Sequence, residues 1–420
     1  MEIPLTGDII LSDKTVKRII KLKTDHLCNI IDLKDVKINL NFLVNDNCQK
    51  NRYATIKINS PVINEELRVF LKIREIKNIN NQFSIVKRLG LFYREIEIYS
   101  SVFPKILKIE DEDIIPKFYH NENDSVLIID DMKSKNYRAI NKMHSLDLSH
   151  CIIALKTLAK FHARSIVYHK KNIETLPLID YTRKYSNTEK IMIHETESYL
   201  RIYFNSIAHC LADSFHLIKE FETLECKKFK LIFLEMVDKF FDVVAHPNFS
   251  KLPVLCHSDL VASNLLFRYN DNNEPVTCCF VDFQFTKYSS PAYDLWGFFY
   301  MNTTKEMRNE GIDIFCKIYH ETLVKILNEN QINGNYLFSH HELQDMMKNE
   351  RIYGLIQGIL NLYREYRQEL KSKYEKDYRQ IMSELWMETS MLSRQNIENY
   401  RNYKKRIIDQ IIELYSMVMT

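Results

Sequence analysis

Between Cys256 and Phe299 the chain reads CHSDLVASNLLFRYNDNNEPVTCCFVDFQFTKYSSPAYDLWGFF, and no other stretch restricts the fold so tightly. Asp259 is followed five residues later by Asn264, a separation that leaves room for one tight loop presenting both side chains to one point. The turn signal Asn270-Asp-Asn-Asn-Glu-Pro275 then leads into Val276-Thr-Cys-Cys-Phe-Val-Asp282. That run is apolar and β-branched, and reads as a buried strand delivering a second aspartate at its end. A third, Asp294, stands just after Ser290-Pro291, where a helix starts well. Loop, strand and helix must therefore be built around one polar point. Two carboxylates and an amide suit Mg²⁺, a hard ion that prefers oxygen. Phosphoryl transfer asks for this layout: one aspartate to orient the attacking hydroxyl and accept its proton, an asparagine and an aspartate for the metal ions on the nucleotide phosphates. The bland alternative, a solvated hairpin with ordinary turn residues, fits less of this context.

The motifs also resemble a known family. Cys256-His257-Ser258-Asp259-Leu260, then Asn264, Val281-Asp282-Phe283-Gln284, Tyr288-Ser-Ser-Pro291 and Asp294-Leu295 match, in order, the ecdysteroid kinase-like family, relatives of choline kinases and aminoglycoside phosphotransferases. Leu158-Ala-Lys-Phe-His-Ala163 and Phe92-Tyr-Arg-Glu-Ile-Glu-Ile-Tyr99 resemble two further family helices, so the likeness runs from about Val36 past Tyr300. The Asp-Phe-Gln followed by Tyr-Ser-Ser-Pro is its specific part, because protein kinases carry Asp-Phe-Gly. The resemblance implies ATP and Mg²⁺ as cofactors and a lipophilic alcohol, an ecdysteroid or a xenobiotic, as acceptor. It also implies that Asp294 braces the catalytic loop.

The chain of 420 residues is long enough for two or three lobes. A net charge of +3 with basic and acidic residues interspersed gives no case for nucleic acid. Nine scattered cysteines, without a CxxC pair, fit reduced thiols in the cytoplasm. The first residues lack a basic stretch and an apolar run, so no signal peptide is expected. No apolar run reaches the length of a membrane span. No obligate protein partner is evident.

Residues 1 to about 35 read as a helical lead-in. Val36–Phe42 alternates as a half-buried strand does, and a polar turn over 45–51 separates it from Tyr53–Ile58. Leu67–Ile73, Ile114–Tyr119 and Ser125–Ile129 supply three more strands, and a helix is expected over about 85–100. Helical periodicity then dominates over 149–168, 200–244 and from about 305 to the end. The expected fold is α+β: a protein-kinase-like bilobal chain with a small antiparallel nucleotide lobe over 1–130 and a large helical lobe over 131–420 carrying catalysis and the acceptor. Residues 130–138 read as the hinge.

Lys72 is a lone lysine in the apolar strand Phe70-Leu-Lys-Ile73, unexpected unless its ammonium is used. It is the candidate for the phosphate-contacting lysine, against the alternative of a snorkelling surface residue. By resemblance its partner is Glu95, with Glu97, on a different face of the helix, as the fallback. At the hinge, Asp130 and Met132 are assigned to the nucleotide through their backbone groups. No glycine lies between Gly7 and Gly90, so the loop over 45–52, where family members often carry glycine, is not glycine-rich. Its asparagines and Asp46 tolerate positive φ best among other residues. Asp259 is the candidate base, Asn264 and Asp282 the metal ligands, and His257 a packing histidine. His162 and the pair His340-His341 lack partners at ligand spacing and read as core and surface. Two rivals stay open: a pseudokinase that binds without turnover, and a choline- or aminoglycoside-type kinase with an acidic, aromatic cage.

Overall fold

A computed structural model describes residues 3–5, 9–24, 36–42, 52–59, 64–73, 90–140, 145–171, 199–213, 215, 218, 221, 223–245, 253–373 and 401–419. The chain divides into two compact units: residues 1–138 with 266–284, and residues 139–265 with 285–420.

The first unit opens with a short antiparallel hairpin, β1 (Ile3–Leu5) and β2 (Ile9–Leu11), followed by helix α1 (Asp13–Thr24). This corrects the helical reading of the first residues: three-residue strands are too short to display a period of two. A five-stranded antiparallel sheet follows, built from β3 (Val36–Phe42), β4 (Arg52–Asn59), β5 (Asn64–Ile73), β6 (Phe118–Glu122) and β7 (Val126–Asp130) in the order β3-β4-β5-β7-β6. The turn expected over 45–51 lies outside the described residues. Alternation organises β5: Leu67, Val69, Leu71 and Ile73 are buried on one face, with Val16, Ile19 and Ile20 of α1, Ile56, Val126 and Ile128. Lys72 therefore points to the opposite face. Strand β6 begins later than the expected 114–119. Pro116 cannot donate to a ladder, and the Ile114 carbonyl instead accepts the Phe280 N–H.

The helix expected over about 85–100 is α2 (Leu91–Glu97), which widens into a π-turn over Ile98–Val102 before α3 (Phe103–Ile106). Pro104, with no N–H and a bulky ring, sits where an unbroken α-helix would need a donor. After β7 the chain makes a 3₁₀ turn, Met132–Lys135, capped by the Asp131 side chain, and reaches the two-residue strand β8 (Arg138–Ala139).

The second unit is mainly helical: α4 (Leu148–Lys171), α5 (Tyr199–Asp213), α6 (Thr223–Ala245), α7 (Pro291–Asn302), α8 (Lys305–Glu329), α9 (Gly334–Leu337), α10 (His340–Lys373) and α11 (Arg401–Met419). A two-stranded ribbon joins β9 (Val254–Cys256) to a later strand, Lys287–Ser289. Between them in sequence lies the hairpin β10 (Leu265–Tyr269) and β11 (Pro275–Phe280), which makes the later strand β12. Helix α10 packs on α7 through glycines: a Cβ on Gly354 would collide with Trp296, and one on Gly358 with Tyr300. Six described cysteines, Cys151, Cys226, Cys256, Cys278, Cys279 and Cys316, are buried and form no disulfide. No helix among the described residues is long and apolar enough to cross a membrane.

Candidate functional site

In the first unit three sequence-predicted residues meet. Lys72 Nζ donates to Glu95 Oε2 at 2.6 Å and to Asp282 Oδ1 at 3.0 Å. Lys72 and Glu95 are buried, while the Asp282 side chain keeps 39% of its exposure. It is Glu95, rather than Glu97, that α2 turns to Lys72. Glu95 Oε1 also accepts the Phe283 N–H at 3.2 Å. Burial alone would push the Lys72 ammonium down, but the carboxylates of Asp282 and Glu95 outweigh it and its pKa is raised. Burial pushes the Glu95 carboxyl up, against the pull of Lys72 and the Phe283 N–H. With the ammonium at 2.6 Å we read the couple as an ion pair. Asp282 lies just beyond β11 with φ +68°, the left-handed region, which ends the strand and redirects the chain. Phe283 anchors that bend by packing edge-on against Tyr99 and Phe103, 5.7 and 4.8 Å between ring centres.

Asp130 and Met132 show a different environment. The Asp130 carboxylate accepts Tyr119 Oη at 2.5 Å and Lys135 Nζ at 2.6 Å, with Lys23 of α1 at 3.5 Å. Burial would push its carboxyl up, but the Lys135 and Tyr119 donors hold it below the ordinary value. The side chain is thus committed to the fold, and any contact with a base falls to the main chain. The Asp130 N–H already donates to the Lys117 carbonyl, and the Met132 carbonyl accepts the Tyr137 N–H.

In the second unit the loop after β9 is held by its own hydrogen bonds. The Asp294 carboxylate accepts the N–H groups of His257 (2.6 Å) and Ser258 (2.8 Å), and His162 Nε2 lies 3.2 Å from it. His162 Nδ1 meets Tyr319 Oη at 2.7 Å, so the imidazole serves as a buried bridge. Ser258, at φ +69°, makes the sharp turn. The Asp259 N–H then donates to His257 Nδ1 at 3.2 Å, and Asn264 Nδ2 donates to the Asp259 carbonyl at 2.9 Å. Asn302 Nδ2 donates to the Leu260 carbonyl. These contacts place Asp259 and Asn264 side by side, with Asn264 Nδ2 3.5 Å from Asp259 Oδ2. One partner escaped the sequence reading: Arg364 Nη2 donates to Asp259 Oδ1 at 2.5 Å from 105 residues away. No local motif announces a contact across that separation.

The sequence profile of the ecdysteroid kinase-like family matches residues 54–332. The chain belongs to this family. Among solved structures, an aminoglycoside phosphotransferase complexed with GDP and kanamycin is similar at 12% identity and a TM-score of 0.36. That similarity covers 88% of this chain and 99% of that one. No curated protein matches the sequence.

Proposed function

We propose that this family member is an ATP-dependent small-molecule kinase that transfers the γ-phosphate to a hydroxyl of a lipophilic acceptor, an ecdysteroid or a xenobiotic alcohol. The observation that carries the reading is the Lys72–Glu95–Asp282 set, in which one buried ammonium joins residues up to 210 positions apart. In nucleotide phosphotransferases a lysine fixed by a helix glutamate contacts the phosphates. Asp259 is the base in this reading: it orients the acceptor hydroxyl and takes its proton as the acceptor oxygen bonds to the γ-phosphorus. The bond from that phosphorus to the bridging oxygen breaks, and ADP leaves. Asn264 and Asp282 are assigned to magnesium. Their donor chemistry fits, because Asn264 uses its amide nitrogen on Asp259, which leaves its oxygen, and Asp282 has the most exposed side chain of its set. Held by such residues, magnesium would supply charge neutralisation of the phosphates. Asp130 and Met132 stand as main-chain contacts to the base.

Incubation of the purified protein with Mg-ATP and a panel of ecdysteroids, lipophilic alcohols and choline-like amines, read by mass spectrometry, tests the proposal. A one-phosphate gain on a steroid or alcohol is the expected result. Mg-ATP binding without any phosphorylated product across a broad panel would turn the reading toward a protein that binds nucleotide without turnover.

A further inference from the structure

Asp259 has a partner that the reaction described above does not call for. Arg364 lies on α10, beyond the residues 54–332 matched to the family. Its side chain and that of Asp259 are 13% and 10% exposed, so the contact is largely shielded from water. The guanidinium also lies over the Phe285 ring, 5.9 Å from its centre. A second cation is nearby: Lys287 Nζ sits 3.9 Å from the centre of the Tyr293 ring. Lys287 pairs across the ribbon with Cys256, three residues before Asp259, and the Tyr293 ring lies among the charges of Asp294, Asp259 and Arg364. The described carboxylates nearby, Asp294 and Glu350, have other partners. Asp294 holds the loop N–H groups and His162, and Glu350 interacts with Ser290 and Lys287. Among the described residues around Asp259, Arg364 and Lys287 each lie over an aromatic ring, and it is Arg364 that touches the Asp259 carboxylate.

We infer that Arg364 is a positioning and specificity residue for the acceptor, an inference that rests on the kinase reading. It engages Asp259 Oδ1 and so turns Oδ2, beside the Asn264 amide, toward the incoming hydroxyl. The proton of that hydroxyl passes to Oδ2 as its oxygen bonds to the γ-phosphorus and the bond to the ADP oxygen breaks. A guanidinium is charged at every working pH. An acceptor carrying its own cation next to the reacting hydroxyl meets like charge there and is disfavoured. The acceptor class is thereby neutral or anionic around that hydroxyl.

The test compares the full-length protein with Arg364→Gln and Arg364→Lys, using three probes: ecdysone as neutral acceptor, choline as cationic acceptor, and water, read as ATP hydrolysis without added acceptor. Mg-ATP thermal stabilisation is measured for all three proteins and is expected to be unchanged. Arg364→Gln should lower hydrolysis and ecdysone phosphorylation, by up to about 10²-fold, because a misplaced base is costly. It should also lower the ecdysone-to-choline ratio of kcat/KM, which a merely structural defect would leave alone, and Arg364→Lys should restore most of that ratio. If neither alcohol is phosphorylated, hydrolysis decides: a loss in Arg364→Gln, rescued in Arg364→Lys, supports the positioning role. Unchanged hydrolysis and ratio with Mg-ATP binding intact overturn the inference, as does faster turnover in Arg364→Gln or a wild type that prefers choline. A wild type neither stabilised by Mg-ATP nor able to hydrolyse it overturns the kinase reading itself.

Discussion

Lys72 holds two carboxylates on one ammonium, and only one of the two is buried with it. Breaking a buried pair by removing one partner leaves an uncompensated charge. Lys72→Met should therefore cost about 3–5 kcal/mol in urea unfolding. A Lys72→Met/Glu95→Leu double variant should recover part of that loss, because no lone carboxylate remains; equal losses would show that packing, not charge, dominates. Asp259→Asn keeps the shape of the loop and removes the proton acceptor. It should slow transfer by about 10²–10⁴-fold while leaving Mg-ATP stabilisation in a thermal melt intact. Much of this was readable from sequence: a lone lysine in the apolar run Phe70-Leu-Lys-Ile73 announces a use for its charge. The choice between Glu95 and Glu97 was not, since it depends on which side of α2 meets the Phe283 N–H. Arg364 was out of reach for another reason. Its partner is defined only once α10 has packed.

That packing belongs to the elements. Helix α7, with Asp294 in its first turn, carries Trp296 and Tyr300, and α10 approaches them through Gly354 and Gly358. Gly354→Ala puts a methyl group where the Trp296 side chain already stands. Overpacking of this kind costs about 1–3 kcal/mol, to be read as a lowered urea midpoint; an unchanged midpoint would mean that the helices move apart freely. Apolar strands were legible to within a few residues, whether alternating like β5 or buried throughout like β7. Elements whose course depends on a single proline were not. Pro116 and Pro104 shift the start of β6 and the form of the helix after Glu95, and neither effect appears in a count of apolar spacing.

Across the whole molecule, the change from alternating to helical periodicity after about residue 131 made the α+β class legible. What binds the helical unit together was less so. Glu413 of α11 accepts Tyr300 Oη at 2.6 Å, Arg351 at 2.8 Å and Arg308 at 3.3 Å, a junction of four helices drawn from three parts of the sequence. Burial would push its carboxyl up, but the Tyr300 and Arg351 donors hold it below the ordinary 4.5. A carboxyl depressed on folding stabilises the native state above its unfolded pKa, and that contribution is lost as pH falls through the folded value. Unfolding midpoints should thus drop on acidification below 4.5, and Glu413→Gln should flatten part of that slope. Asp130, depressed in the same direction, gives the first unit its own acid sensitivity. The buried cysteines add a different property. Burial pushes the Cys151 and Cys316 thiols up to about 12, and raises those of Cys256, Cys278 and Cys279 as well. In the closed protein they are protonated and screened, so an alkylating reagent reaches them only when the chain opens. Cys278 and Cys279 lie in one unit and Cys151, Cys256 and Cys316 in the other. The chain thus carries native chemical clocks for the opening of each half: timed alkylation read by peptide mass should show nucleotide slowing the marks on Cys278 and Cys279.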